Sequence, residues 1–190
     1  MVFIVIDGLD ASGKSTQGTS LYRHFVGIGK TAYLRIHPSN DNFFGYRARH
    51  FLYSSGKSAH FASALFYMLD VIRSILIYSW RRYDYMIFVR YLLGTAYLPA
   101  PLDIIAYHFF ASIVPTSDYM FFLDVHPEEA ENRIRRSRST MEMFETLESL
   151  KNVRRKALHL ISTGKWRIID GDEPEIEVER AIGTVFGLLF

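Results

Sequence analysis

Val2-Phe3-Ile4-Val5-Ile6-Asp7-Gly8-Leu9-Asp10-Ala11-Ser12-Gly13-Lys14-Ser15-Thr16-Gln17 opens the chain, and its reading decides the fold. Residues 2–6 are apolar and mostly β-branched, with no polar interruption, as in a parallel strand covered on both faces. Gly8 to Ser15 then match G-x-x-x-x-G-K-[ST] in full. Gly8 and Gly13 admit backbone angles that turn successive N–H groups inward into an anion nest. Lys14 supplies a point charge to the β- and γ-phosphates, and the Ser15 hydroxyl suits Mg²⁺. A helix opening near Lys14 adds the partial positive charge of its N-terminus. Strand, loop and helix in this order imply binding of a nucleoside triphosphate through Gly8, Asp10, Ala11, Ser12, Gly13, Lys14, Ser15 and Thr16.

Beyond the loop, strand-like and helical segments alternate. The first helix continues through Leu21–Phe25 to Gly27 and Gly29. Thr31–Ile36 reads as a strand, and Asp41–Tyr53 as a short helix stopped by Ser54-Ser55-Gly56. Ser58 is expected to cap a long helix over Ala59–Arg81. Its apolar stripe, Phe61, Leu65, Met68, Leu69, Ile72, Ile75 and Leu76, is close to period 3.6, and a second line holds Phe66, Asp70, Arg73 and Ile77. Further strands are expected at Tyr85–Val89, Tyr119–Val125 and Trp166–Ile169. Pro127 starts a helix through Arg133, Arg135, Arg136 and Arg138; Met141–Ser162 is another, and Pro174 begins the last. Leu92–Pro115 is broken by Pro99 and Pro101, with a helix over Asp103–Ala111. The pattern predicts one α/β domain over residues 1–190, a three-layer P-loop NTPase fold with a five-stranded parallel sheet.

Composition narrows the class. The chain has 190 residues, 49% hydrophobic and 15% aromatic, enough for a core of its own. A net charge of +2 argues against a nucleic-acid coat or a polybasic membrane tether. Without cysteine, no disulfide or thiolate metal site can form. Apolar runs such as Ile75–Tyr78 and Tyr119–Leu123 are short of a bilayer span, and no basic n-region precedes Met1–Ile6. The expectation is a soluble, cytoplasmic protein with no nucleic-acid or membrane partner.

The opening block, with Asp7-Gly8-Leu9-Asp10 leading to Lys14 and Ser15-Thr16-Gln17 following, resembles that of the thymidylate kinase family. Arg90-Tyr91 resembles the second half of its Asp-Arg-Tyr motif, and Leu123-Asp124-Val125-His126-Pro127-Glu128 its exit from the fourth strand. Arg133–Arg138 falls where the family has a basic lid, here near residues 133–141. Phe144-Glu145 and Val153-Arg154 resemble the helix beyond. The resemblance implies transfer of the ATP γ-phosphoryl group to a nucleoside 5′-monophosphate, normally thymidylate, with Mg²⁺, in a homodimer. Phosphoryl transfer needs two phosphate groups brought into line and their charge neutralised.

On that resemblance Lys14, Arg90 and the lid arginines Arg136 and Arg138 are the candidates for catalysis. Asp10 matches the carboxylate at the acceptor's 3′-hydroxyl, and Phe66 the aromatic under its base. Arg90 and Arg49 are candidates for the acceptor phosphate, and Arg73 and Tyr97 for the remaining contacts. The plainer readings are loop stabilisation for Asp10, core packing for Phe66, an ordinary surface ion pair for Arg90, and solvated arginines for Arg49, Arg136 and Arg138. Asp7 either helps Ser15 with the metal or bonds nearby backbone.

Departures gather on the acceptor side. Val89 stands where the family has the Asp before Arg-Tyr, and Ile36-His37-Pro38 replaces Arg-Glu-Pro, unless Arg35 or Arg47 takes the lost arginine's place. Asp70 falls at the base-reading arginine; either Arg73 reaches inward in its stead or the two form a surface pair. Leu98 replaces a glutamine. A kinase for another nucleotide or small phosphate-bearing acceptor, and a nucleotide-binding regulatory protein, therefore remain rivals.

Overall fold

The computed structural model describes residues 1–53, 57–137, 145–162 and 164–188. In chain order the elements are β1 Val2–Gly8, α1 Lys14–Gly27, β2 Ala32–Ile36, α2 Phe43–Leu52, α3 Lys57–Tyr78, β3 Tyr85–Val89 and a 3-10 helix Leu93–Tyr97. There follow α4 Leu102–Ile113, β4 Tyr119–Asp124, α5 Pro127–Ser137, α6 Leu147–Ile161, β5 Trp166–Asp170 and α7 Glu175–Thr184. The strands form one sheet of order β2-β3-β1-β4-β5, and every pairing is parallel. This is the α/β three-layer architecture the sequence pattern predicts.

Alternation along the strands explains their unbroken apolarity. Ile4, Ile6, Ile87, Phe121 and Leu123 face α1 and α7, where they meet Leu21, Phe25, Val178 and Ile182. Val5, Met86, Phe88, Met120 and Phe122 face the other way, toward Tyr67, Met68 and Val71 of α3 and Val153, Ala157 and Leu160 of α6. Each face is covered by helices, so neither needs a polar residue.

Helix starts follow local chemistry. Asn42 caps α2 by accepting from the Phe44 and Gly45 N–H groups at 2.9 and 3.1 Å. Thr146 caps α6 by accepting from Ser149 N–H at 3.3 Å, so that helix begins later than the expected Met141; residues 141–144 lie outside the described ones. Helix α3 begins at Lys57, which places Ser58 inside it rather than at its cap, and ends at Tyr78.

The apolar stripe of α3 is divided between core and surface, with Met68 buried and Ile72 and Ile75 packed on the core. Phe61, Leu65 and Leu76 are 53%, 47% and 63% exposed, while Ser63, Ala64, Tyr67, Met68, Asp70, Val71 and Ser74 face inward. The helix is apolar on most sides, so periodicity marks its buried face poorly, and the inward polar residues hold partners described below. By length and mean hydropathy (1.6) Phe61–Tyr78 could cross a bilayer, which a search for unbroken apolar runs overlooks. Here it packs against α2 and the sheet.

Candidate active site

Asp7 is the last residue but one of β1, and its carboxylate folds back onto main chain. Oδ1 accepts from Gly8 N–H at 3.1 Å, and Oδ2 from the Tyr91 and Leu93 N–H groups at 2.9 and 3.1 Å. Burial pushes its pKa up, outweighing those donors and Lys14. Asp7 thus stitches β1 to the turn after β3.

The loop itself is built by backbone. A Cβ on Gly8 would stand 2.6 Å from Ser12 Oγ and 2.7 Å from the Leu123 carbonyl oxygen, so only glycine lets the chain pass there. Ala11 and Gly13 take left-handed φ angles of 58° and 84°, the alternation that gathers N–H groups into a nest. Gly13 is the N-cap of α1 and no side chain caps it, leaving first-turn N–H groups for an anion. Ser12 Oγ is buried without a hydrogen-bond partner among the described residues. A buried hydroxyl left unbonded costs about 1–3 kcal/mol, and a phosphate oxygen would satisfy it. These features fit a triphosphate.

Lys14 is 4% exposed, bonded to the Leu9 carbonyl and 3.7 Å from Asp10. Burial, then the neighbouring Arg90 charge, lowers its pKa to about 8 against the pull of Asp10 and Asp7. Ser15 and Thr16 are exposed in the first turn of α1. The Ser15 hydroxyl fits a Mg²⁺ ion beside bound phosphates, whereas both Asp7 oxygens are already engaged by backbone donors.

Next to the loop opens a cavity lined by Asp10, Pro38, Leu52, Tyr67, Arg90 and Tyr97 among others, about 580 Å³ counted out to its mouth. Its polar end centres on Asp10. Arg90 Nη2 donates to Oδ1, and the Tyr97 hydroxyl donates to Oδ2 at 3.1 Å. Burial alone would raise the Asp10 pKa, but Arg90 and Lys14 outweigh it and hold it at about 2. Burial, then the charge of Asp10, pushes the Tyr97 phenol well up. The Arg90 side chain stays 32% exposed. A guanidinium has five N–H donors, so Arg90 can hold Asp10 and a phosphate together.

The other expected residues are placed less uniformly. Arg49 is exposed and donates to the Pro38 carbonyl at 2.7 Å, which holds it beside a residue of the cavity wall. Phe66 is not in the lining: its ring stacks on Phe51 at 5.8 Å and meets Phe43 edge-on. One residue turns a helix by about 100°, so Tyr67 takes the wall instead. Its hydroxyl donates to the Tyr91 carbonyl at 3.1 Å, and its ring occupies the space a Cβ on Gly94 would need. Arg73 is also outside the lining, with Nη1 buried and unbonded among the described residues. Arg133 and Arg135 are tied to Glu129 and Glu131, while Arg136 is exposed in the last turn of α5. Arg138 lies outside the described residues.

Residues 6–182 match the family described as thymidylate kinase. The chain belongs to the thymidylate kinase family. Membership supports a nucleoside monophosphate kinase using ATP as phosphate donor. Its fold is similar to that of thymidylate kinase from Candida albicans, a structure described as revealing the origin of that enzyme's broad substrate specificity. The similarity has a TM-score of 0.76 over 98% of this chain and 91% of that one, at 19% identity. No curated protein matches it in sequence.

Several departures from the thymidylate kinase pattern now have structural causes. Val89 is fully buried, and its Cγ2 fills the space where a Cβ on Gly18 of α1 would stand, 2.5 Å away. Arg35 does not replace the missing phosphate-binding arginine: Asp41 grips it through two bonds of 2.7 Å, and Nε donates to Ser74 Oγ at 3.1 Å. Arg47 is exposed, lies over the Phe43 ring at 5.4 Å and is not in the cavity lining. Asp70 is fully buried rather than part of a surface pair with Arg73. Its carboxylate accepts from Ser39 N–H at 2.6 Å, Ser39 Oγ at 2.7 Å and Asn42 Nδ2 at 2.7 Å, so it anchors the β2–α2 loop. Leu98 is buried, and its carbonyl accepts from Lys156 at 2.6 Å.

Proposed function

We propose that this chain transfers the γ-phosphoryl group of ATP to a nucleoside 5′-monophosphate, with thymidylate the leading acceptor. The observation that carries the reading is the adjacency of two anion sites. The phosphate loop at the end of β1 and Arg90 just past β3 share one carboxylate, Asp10. An acceptor phosphate oxygen attacks the γ-phosphorus, a new P–O bond forms, and the bond to the β-phosphate oxygen breaks to release ADP. Lys14 and the loop N–H groups hold the donor and stabilise charge on the oxygens in transfer. Arg90 orients the attacking phosphate. Asp10, kept ionised, and Tyr97 address the acceptor sugar. Mg²⁺ held at Ser15 neutralises phosphate charge when bound. On the family resemblance, Arg136 and Arg138 of the basic segment 133–141 supply the lid that closes over the donor and excludes water.

A second reading, a nucleotide-binding protein with little transfer, is favoured by Val89, which offers no carboxylate where the family has one. One screen separates the two. Purified protein is given ATP, Mg²⁺ and a panel of ribo- and deoxyribonucleoside monophosphates, with folded Lys14→Ala as control. Diphosphate product absent from the control supports the kinase, and the preferred acceptor names the substrate. ATP binding without turnover across the panel overturns it. The exposed Phe61, Leu65 and Leu76 on α3 favour the homodimer implied by the family; sedimentation as a monomer at micromolar concentration would contradict that part.

A further inference from the structure

Arg90 has an uncommon backbone for its residue type, with φ at 62°. A non-glycine residue there is strained and persists only where its surroundings hold it. The peptide that joins Arg90 to Tyr91 is pinned on both edges. Its N–H donates to Asp7 Oδ2 at 2.9 Å, and its carbonyl faces His37 Nδ1 at 3.1 Å. His37 is fully buried, its own N–H donates to the Val89 carbonyl at 3.0 Å, and its carbonyl receives a long 3.5 Å contact from Arg90 Nη1.

The hydrogen-bond inventory fixes the ring's tautomer. His37 Nε2 lies 3.0 Å from Ser74 Oγ, which in turn lies 3.1 Å from Arg35 Nε. The Arg90 carbonyl can only accept, so Nδ1 donates to it; Arg35 Nε can only donate, so Ser74 Oγ accepts there and gives its own proton to Nε2. Nε2 is then the bare nitrogen, and the ring hydrogen sits on Nδ1, aimed at the Arg90 carbonyl. Asp41 anchors the far end through Arg35. Burial, opposed by Asp70, lowers the His37 pKa to about 4, which keeps the ring neutral.

We propose that His37, backed by Ser74 and Arg35, is a positioning residue that holds Arg90 in the left-handed conformation aiming its guanidinium at Asp10 and the acceptor phosphate. The part concerning acceptor phosphate rests on the kinase reading above. His37→Leu removes the donor to Arg90. His37→Asn keeps an amide N–H near the position of Nδ1, and Ser74→Ala removes the donor to Nε2.

The test measures steady-state kinetics for the best acceptor, ATP affinity by equilibrium binding, and histidine tautomers by long-range ¹⁵N–¹H NMR. A buried carbonyl stripped of its donor loses on the order of tenfold or more. His37→Leu should therefore lower acceptor kcat/KM by about that factor, while ATP affinity stays within about twofold. His37→Asn should recover most of the loss, and Ser74→Ala should show a smaller one. His37 should give the Nδ1–H tautomer in the wild type. An Nε2–H ring, an unchanged acceptor kcat/KM in His37→Leu, or equal losses for ATP and acceptor would overturn the assignment. Should His37→Leu fail to fold, Ser74→Ala and His37→Asn decide by the same criteria. A wild type that turns over no monophosphate overturns the kinase reading instead, and the tautomer alone then judges the relay.

Discussion

The two halves of the site are made of different material. The donor half is a run of consecutive residues, Gly8 to Ser15, whose binding groups are mostly main-chain N–H. The acceptor half collects Asp10, Pro38, Leu52, Tyr67, Arg90, Gly94 and Tyr97 from five separate stretches of chain, and its character depends on which side chain each offers. A backbone nest tolerates change in the side chains around it. A wall of side chains changes whenever one residue or its support does, and here Val89, His37, Asp70 and Leu98, beside the lining rather than in it, all differ from the family pattern. The donor half is thus the fixed part of the molecule, and specificity is written on the other half.

The strongest way to break that contrast is at Lys14. Lys14→Ala should cut turnover on the order of 10²–10³-fold, as for loss of one charge-stabilising donor. The folded state should not suffer, because burial already disfavours this charge. A variant that turned over normally would remove the donor half from the account.

Arg90→Ala comes next, with acceptor kcat/KM falling about 10–100-fold as a charged hydrogen bond is lost and ATP affinity nearly unchanged. It also has a signature in acid. Asp10 has a folded pKa of about 2, below its ordinary 3.8. Its contribution, ~2 kcal/mol, is present above pH 3.8 and lost as pH falls through 2. Without Arg90 the folded pKa rises, so denaturant titrations should show lower stability at neutral pH and an acid decline beginning at higher pH.

The donor half should carry a pH dependence of its own. Lys14 is half deprotonated near pH 8 in the empty protein, and triphosphate favours the charged form, so ATP binding takes up a proton. Affinity should fall about fivefold between pH 8 and 9 by linkage, and Lys14→Ala should abolish that slope. Calorimetry in buffers of differing ionisation enthalpy checks the proton count.

The smallest effect separates neighbours on α3. Phe66→Leu should change acceptor KM by less than about twofold, since only packing against Phe51 and Phe43 is altered. Gly94→Ala would put a Cβ 2.2 Å from Tyr67 Cε1. It should raise acceptor KM several-fold and cost about 1–3 kcal/mol of stability. The reverse outcome would move the cavity wall from Tyr67 to Phe66.

The contrast also explains what could be read from the sequence. The inner strands β1, β3 and β4 were legible because they are apolar on both faces, and Tyr85–Val89 is found as expected. The phosphate loop was legible because its geometry is enforced by glycines at fixed spacing. The face of α3 was not, because Phe61, Leu65 and Leu76 outweigh Ser63, Asp70 and Ser74 in any count of apolarity, although the polar residues turn inward to Ala48, Ser39 and His37. The family resemblance points to Phe66, one residue before the Tyr67 that lines the cavity. Arg35 looked free to bind phosphate because nothing in the sequence showed that Asp41 and Ser74 would close on it. Asp7 admitted two readings until Tyr91 and Leu93 were seen to donate to it.

The central claim is that the phosphate loop and the Arg90 cavity are one site holding two phosphate groups in line. Binding of a bisubstrate analogue, adenosine joined to thymidine through five phosphates, tests it most directly. If the two halves face each other, the tethered compound should bind on the order of 10²-fold or more tighter than ATP, and Lys14→Ala and Arg90→Ala should each weaken it. Binding no tighter than ATP, insensitive to Arg90→Ala, would contradict the account.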